Sequence, residues 1–235
     1  MNNSSRIIAA LVLAAGMLAM GLAVRSGLKS FTDSRRTVEV RGLATREVAA
    51  NKVTWPIVFK QVGNDLPAVY DQVSTTNSAI VKFLKDNGVP EADISVGAPS
   101  MNDLSTDRYN NQPIPYKYAV TSVVTVSSTQ VDQVRQLINR QGELMKQGIP
   151  IQTSEYSNPI TYDYTELNAI KPAMIAEATK NAREAAAKFA DDSGSKVGEI
   201  QSARQGQFSI ENRDTYTPYI KEVRVVTTLT YFIED

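Results

Sequence analysis

Residues 53–59, Val-Thr-Trp-Pro-Ile-Val-Phe, decide how this chain is read. Val53, Trp55, Ile57 and Phe59 occupy every second position, which is the period of a β-strand with one buried face. Pro56 has no N–H to give to a ladder, so the strand is expected at a sheet edge or bulged at that point. Upstream, Val38 and Val40 repeat the alternation, and residues 37–63 together read as a β-hairpin.

Toward the C-terminus, Leu66, Val69, Val73, Ile80, Phe83 and Leu84 recur at helical spacing between Asp65 and the stop at Gly88. Residues 94–101 and 116–127 read as a strand pair, joined by an Asn- and Pro-bearing polar connection over 102–115. Val131, Val134, Leu137 and Ile138 mark a short second helix, and a strand is expected over 149–156. The third helix, residues 165–193, is alanine-rich and ends at Gly194, with Pro172 kinking it or marking the first turn of its main part. Two closing strands, near 200–210 and 220–233, flank a loop. The order is ββ-α-ββ-α-β-α-ββ. Hairpins dominate it, so the prediction is an α+β fold with a largely antiparallel sheet and three helices, not a doubly wound one.

Toward the N-terminus, residues 7–24 form an uncharged run of 18 residues between Arg6 and Arg25. As a helix the run rises about 27 Å, close to the hydrocarbon thickness of a bilayer and longer than a usual signal-peptide apolar region. Residues 1–36 therefore read as an uncleaved transmembrane anchor with a basic stem, and residues 37–235 as one folded domain. The alternative is a signal cleaved near Ala19, Gly21 or Ala23, which would release the domain into the periplasm. Arg25, Lys29, Arg35 and Arg36 follow the run, and positive-inside counting taken alone leaves the domain in the cytoplasm.

The total charge of zero conceals an asymmetry. Past residue 36 there are 20 basic and 24 acidic side chains, so the folded part is mildly acidic, and nucleic acid is not an expected partner. A content of 42% hydrophobic and 21% charged residues is ordinary for a globular chain and argues against disorder. Cysteine and histidine are absent. That excludes disulfides, thiol nucleophiles, Cys-rich metal sites and Ser-His-Asp triads, and the expectation is no enzyme, no cofactor and no metal.

Several short patterns carry a resemblance. They are Val38-x-Val40-x-Gly42, Gly88-Val89 with Asp93-Ile94, and Tyr118-Ala119 leading into residues 123–126. Asn181-Ala182-Arg183, Ala186, Ala190, Gly194 and Gly198 follow, and residues 223–232 close the set. Over residues 37–235 the chain resembles the SIMPL-domain family of bacterial envelope proteins, which includes periplasmic immunogenic and oxidative-stress-defence proteins. It departs from the family pattern at Ala44, Ala50-Asn51 and Lys117. The family has no agreed biochemical activity. The resemblance implies export, which would set a single-pass protein in the inner membrane with its domain in the periplasm, and it implies a homo-oligomer, since similar members form large ring-like assemblies.

Asp191-Asp192, Glu177 and Glu184 on the third helix read as a solvated face before they read as acid/base or metal chemistry. Asn102, Asp103 and Asp107 resemble a loose calcium-binding run without EF-hand spacing or a closing Glu. Trp55 reads as core. Tyr156, Tyr162 and Tyr164 form either an aromatic contact surface or packing beneath a helix. In the loop 213–219, Arg213, Tyr216 and Tyr219 combine guanidinium and phenol in the manner of interface hot spots, with an ordinary hairpin tip as the plainer alternative. The expected function is a non-enzymatic, membrane-anchored envelope protein that self-associates or binds an envelope partner. A ligand- or peptide-binding module is the alternative, with a carboxylate-, Ser- or Lys-based enzyme behind it.

Overall fold

A computed structural model describes residues 3–33, 36–106, 115–152 and 158–234. The fold is α+β with antiparallel sheets, as the alternation predicts. By contacts the chain divides into two compact units, Glu47–Leu167 with Ile210–Glu222, and Met1–Arg46 with Asn168–Ser209 and Val223–Asp235.

The first of these units is organised by β2 (Lys52–Gly63) and β5 (Tyr118–Ser128), antiparallel in unbroken register from Val53↔Ser128 to Gly63↔Tyr118. Short strands flank this pair: β3 (Ile94–Val96) and β4 (Ser100–Asp103) on β5, and β6 (Ile151–Gln152) and β7 (Thr161–Asp163) on β2. Val53, Trp55, Ile57 and Phe59 are at most 2% exposed and pack with Val120, Val124 and Val126. Each such side chain removed from water contributes roughly 1.5–3 kcal/mol.

Helix α2 (Leu66–Asp86) covers that face with Val69, Val73, Ile80, Phe83 and Leu84. The break in its apolar stripe is Asn77, whose Oδ1 accepts the buried Ser122 hydroxyl at 3.1 Å. Gly88, at φ 84°, supplies the left-handed turn that ends the helix. The predicted second helix is α3 (Val131–Asn139), and an unexpected short helix, α4 (Gly142–Lys146), follows it; together they contribute Val134, Leu137 and Leu144 to the same core.

The second sheet, of order β1-β10-β8 with β9 on β10, is built from β1 (Thr37–Ala49), β8 (Lys196–Gln205), β9 (Ser209–Asn212) and β10 (Ile220–Glu234). Helix α5 (Leu167–Ser193) carries Met174, Ala178, Ala182, Ala186 and Ala190 as its buried line. Ala182 and Ala186 meet Val40, Leu229 and Tyr231. Alanine at four-residue spacing lets backbones approach closely, and Gly42 is where they do. A Cβ there would fall 1.9 Å from the Ala178 carbonyl oxygen.

Four expectations are corrected. First, β1 and β2 do not form a hairpin, because they belong to different sheets. The two residues between them bond elsewhere: the Ala50 amide donates to the Tyr219 carbonyl at 2.8 Å and the Asn51 amide to Asp163 at 2.9 Å. Second, β2 is interior rather than an edge. Pro56 is tolerated because it lies between the segments that pair with β7 (residues 52–54) and β6 (residues 58–59). Third, among the described residues four helices rather than three follow the N-terminal one, since α4, beyond the turn at residues 140–141, was not expected. Fourth, the strand order is richer than expected. Residues 94–101 give β3 and the start of β4, residues 200–210 give most of β8 and the start of β9, and β7 is an addition.

The N-terminal run lies in helix α1 (Asn3–Asp33), whose side chains are described for residues 11–27. Among the described residues no helix is long and apolar enough to cross a membrane.

Candidate functional site

The loop between β9 and β10 is closed at its base by two backbone bonds. The Arg213 amide donates to the Ile220 carbonyl at 3.0 Å, and the Ile220 amide to the Thr217 carbonyl at 2.9 Å. Inside that closure Asp214 organises the turn as an aspartate two and three residues ahead of free amides does. Its Oδ1 accepts from the amides of Tyr216 at 2.8 Å and Thr217 at 2.7 Å, and its Oδ2 accepts from the Thr217 hydroxyl and from Arg213 Nε.

Arg213 is committed to the same structure. Beyond Asp214 at 3.1 Å, its other nitrogens donate to Glu47 at 3.2 Å and to the Thr217 hydroxyl at 2.9 Å. The Thr217 hydroxyl and the Arg213 guanidinium hold the Asp214 carboxyl down to about 2, and Asp214 and Glu47 in turn raise Arg213. Both carboxylate oxygens of Asp214 are occupied and the group stays ionised, so it is equipped for neither proton transfer nor metal binding.

Tyr216 projects from the tip, 92% exposed, with Thr215 exposed beside it. Tyr219 turns the other way. Its ring lies under the Arg135 guanidinium, 3.5 Å from the centroid, and meets Tyr162 edge-on at 6.2 Å and 70°. Tyr162 is buried, and that burial, more than any neighbouring charge, raises its phenol. Thus Tyr162 and Tyr219 come together as packing, Tyr164 is half-buried nearby in sequence, and Tyr156 lies outside the described residues. Sequence reasoning missed Asp214 and Thr217, although an Asp followed three residues later by Thr is a legible turn signal. It also missed Glu47 and Arg135, whose roles depend on contacts far along the chain.

The remaining candidates resolve as surface chemistry. Asp192 pairs with Lys188 at 2.6 Å, Glu184 with Lys180 at 3.6 Å and Glu177 with Arg46 at 3.9 Å, all solvated. Asp103 accepts from the amide of Ser105 at 3.0 Å and from its hydroxyl, while Asp107 lies outside the described residues. Among the described residues no group of three acidic, His or Cys side chains could hold a metal ion. Trp55, at 2% exposure, is core. A separate apolar cleft of about 460 Å³ runs between α2 and β4, lined by Leu66, Pro67, Tyr70, Met101 and Val120.

The sequence profile of the family described as SIMPL, Protein of unknown function (DUF541), matches residues 38–228. No curated protein matches the chain.

Proposed function

Given that the chain belongs to the SIMPL family, we propose that it is a non-enzymatic cell-envelope protein whose loop at residues 213–219 docks a second copy or an envelope partner. Residues 7–24 anchor it as a single pass in the inner membrane, and the folded part works in the periplasm. The 18-residue uncharged run supports the anchor. The basic residues after it suit anionic headgroups.

The observation that carries the contact reading is the division of labour in the loop. Arg213, Asp214 and Thr217 satisfy one another, and Tyr216 is the aromatic that projects. A preformed loop offering one exposed aromatic gives up little conformational freedom when it binds, which favours recognition. Tyr216→Ala removes no internal contact, so the fold should survive. If Tyr216 acts as an anchor, the loss is about 2 kcal/mol, or roughly thirtyfold in affinity. Sedimentation velocity of the full chain in detergent measures this as a fall in assembled mass, with circular dichroism following the fold. Unchanged assembly at low micromolar protein with an intact fold makes the loop a plain hairpin tip.

The second reading, a small-ligand or peptide module, draws on the cleft beside Tyr70 and Met101, both more than half exposed. A strict monomer whose melting temperature rises with a specific ligand would select it.

A further inference from the structure

We propose that β8 is a self-complementary seam at which two copies of this chain join their sheets edge to edge, antiparallel, about a two-fold axis between Gln201 and Ser202. The proposal rests on the self-association reading and names its surface. Among the described strands β8 pairs with β10 alone, and from Glu199 to Gln205 every residue is exposed. Such an edge presents unpaired amides and carbonyls to any strand that matches it.

The backbone directions select the register. The Gly206 amide donates to the Val226 carbonyl at 2.8 Å. Alternation along the ladder then turns Ser202 and Arg204 toward β10, and turns Ala203 and Gln205 outward. The register slips twice, between Thr230 and Tyr231, leaving Gln201 as the extra residue, and between Tyr231 and Ile233, at residues 198–199. The first slip resets the alternation so that Ile200, opposite Tyr231, also faces outward. In a two-fold pairing centred between Gln201 and Ser202, Ile200 of one copy stands opposite Ala203 of the other, and these are residues whose outward backbone groups can bond.

Side chains agree with that register. Ile200 and Ala203 share the face that carries Leu229 and Tyr231, and Ile200, an apolar side chain left 48% exposed, is covered by the pairing. In the same register Glu199 stands across from Arg204 of the second copy, twice by symmetry, an opposite-charge pair at facing positions. Centring the axis on Glu199 or on Arg204 instead sets like charges against each other. The charges on this edge therefore discriminate between registers as well as keeping the strand soluble.

The chain has no cysteine of its own, so cross-linking reads the seam directly. The double variant Glu199→Cys/Arg204→Cys, oxidised in the full chain in detergent, should run as a disulfide dimer on a non-reducing gel, while each single variant should not, because residue 199 faces residue 204 and not itself. Ala203→Pro removes an outward amide that β10 does not use. It should leave the circular dichroism spectrum and melting temperature of wild type while weakening dimerisation at least tenfold by sedimentation velocity. Glu199→Arg should weaken the dimer and Glu199→Arg/Arg204→Glu should restore it. If Ala203→Pro keeps both its fold and wild-type assembly, or if the double cysteine variant fails to cross-link where wild type assembles, the seam is refuted and self-association stands through another surface. If wild type sediments as a monomer throughout, the self-association reading falls with it.

Discussion

Gly42→Ala asks the most of the α5 packing. The added Cβ would meet the Ala178 carbonyl oxygen at 1.9 Å, the Ala182 amide nitrogen at 2.3 Å and the Ala182 Cβ at 2.8 Å. Ordinary contact begins near 3.4 Å, so the shortfall is about 1.5 Å. The closest two atoms are helix backbone and cannot rotate away, so the helix or β1 must shift bodily. A shift of that size also opens the contacts of Ala182 and Ala186 with Leu229 and Tyr231. A radial gap of even 0.5–1 Å already forfeits about a quarter to a half of each contact's attraction. The upper end of the usual overpacking range applies, about 3 kcal/mol. For a chain of this size that corresponds to a fall in melting temperature of roughly 6–12 °C. Gly142→Ala is the matched control, since nothing lies within 4 Å of its added Cβ. Thermal unfolding by circular dichroism compares the two. If Gly42→Ala melts with wild type and with Gly142→Ala, the close approach of helix and strand is refuted.

Three further outcomes are expected. Ala186→Phe puts a bulky ring at a position with no exposure against Leu229 and Tyr231 and should destabilise by about 1–3 kcal/mol; an unchanged urea midpoint would place that face in solvent. Asp214 sits at about 2 against an ordinary 3.8, so its contribution to stability is whole above the ordinary value and is lost as pH falls through about 2. The gap in urea midpoint between wild type and Asp214→Asn should hold at pH 6 and shrink between about pH 4 and pH 2; a constant gap refutes the carboxylate's role in the loop. A reporter active only outside the cytoplasm, fused after Asp235, should give signal with a membrane-bound, full-length product. A cytoplasmic signal would favour the positive-inside count, and a soluble product shortened by about 20 residues would show cleavage.

Local periodicity was legible where burial is one-sided. The alternation through Val53, Trp55, Ile57 and Phe59, the stripe on α2 and the four-residue alanine spacing on α5 all mark faces that are buried. Partner choice was not legible. A strand's side-chain period says which face is covered and says nothing about which strand lies beside it, and the assumption that neighbours in sequence pair fails for β1 and β2. Pro56 misled for a related reason. A missing N–H excludes a bond at one position on one side, and β2 meets that condition inside the sheet by pairing with β6 and β7 on either side of Pro56. Helix α4 was not legible because its five residues are too few to show an apolar period, and Leu144 alone among them is buried.

The candidate loop shows the same limit at the scale of side chains. Arg213, Tyr216 and Tyr219 look equivalent in sequence as contact residues, yet each has a different fate, decided by neighbours far along the chain. Glu47 takes part of the guanidinium, and Arg135 with Tyr162 takes the Tyr219 ring. An arginine whose donors are already engaged on three partners has less to gain from a fourth than a free one, and removing it would disturb the loop before it disturbed a partner. Tyr216 has no such entanglement. The two single substitutions should therefore separate. Arg213→Ala should change the loop itself, visible as amide shifts at Asp214 and Thr217, and Tyr216→Ala should change only what the loop holds. If both substitutions weakened assembly equally while neither moved those amides, Arg213 would be a direct contact after all, and its hydrogen bonds to Glu47 and Asp214 would be ones it exchanges on binding.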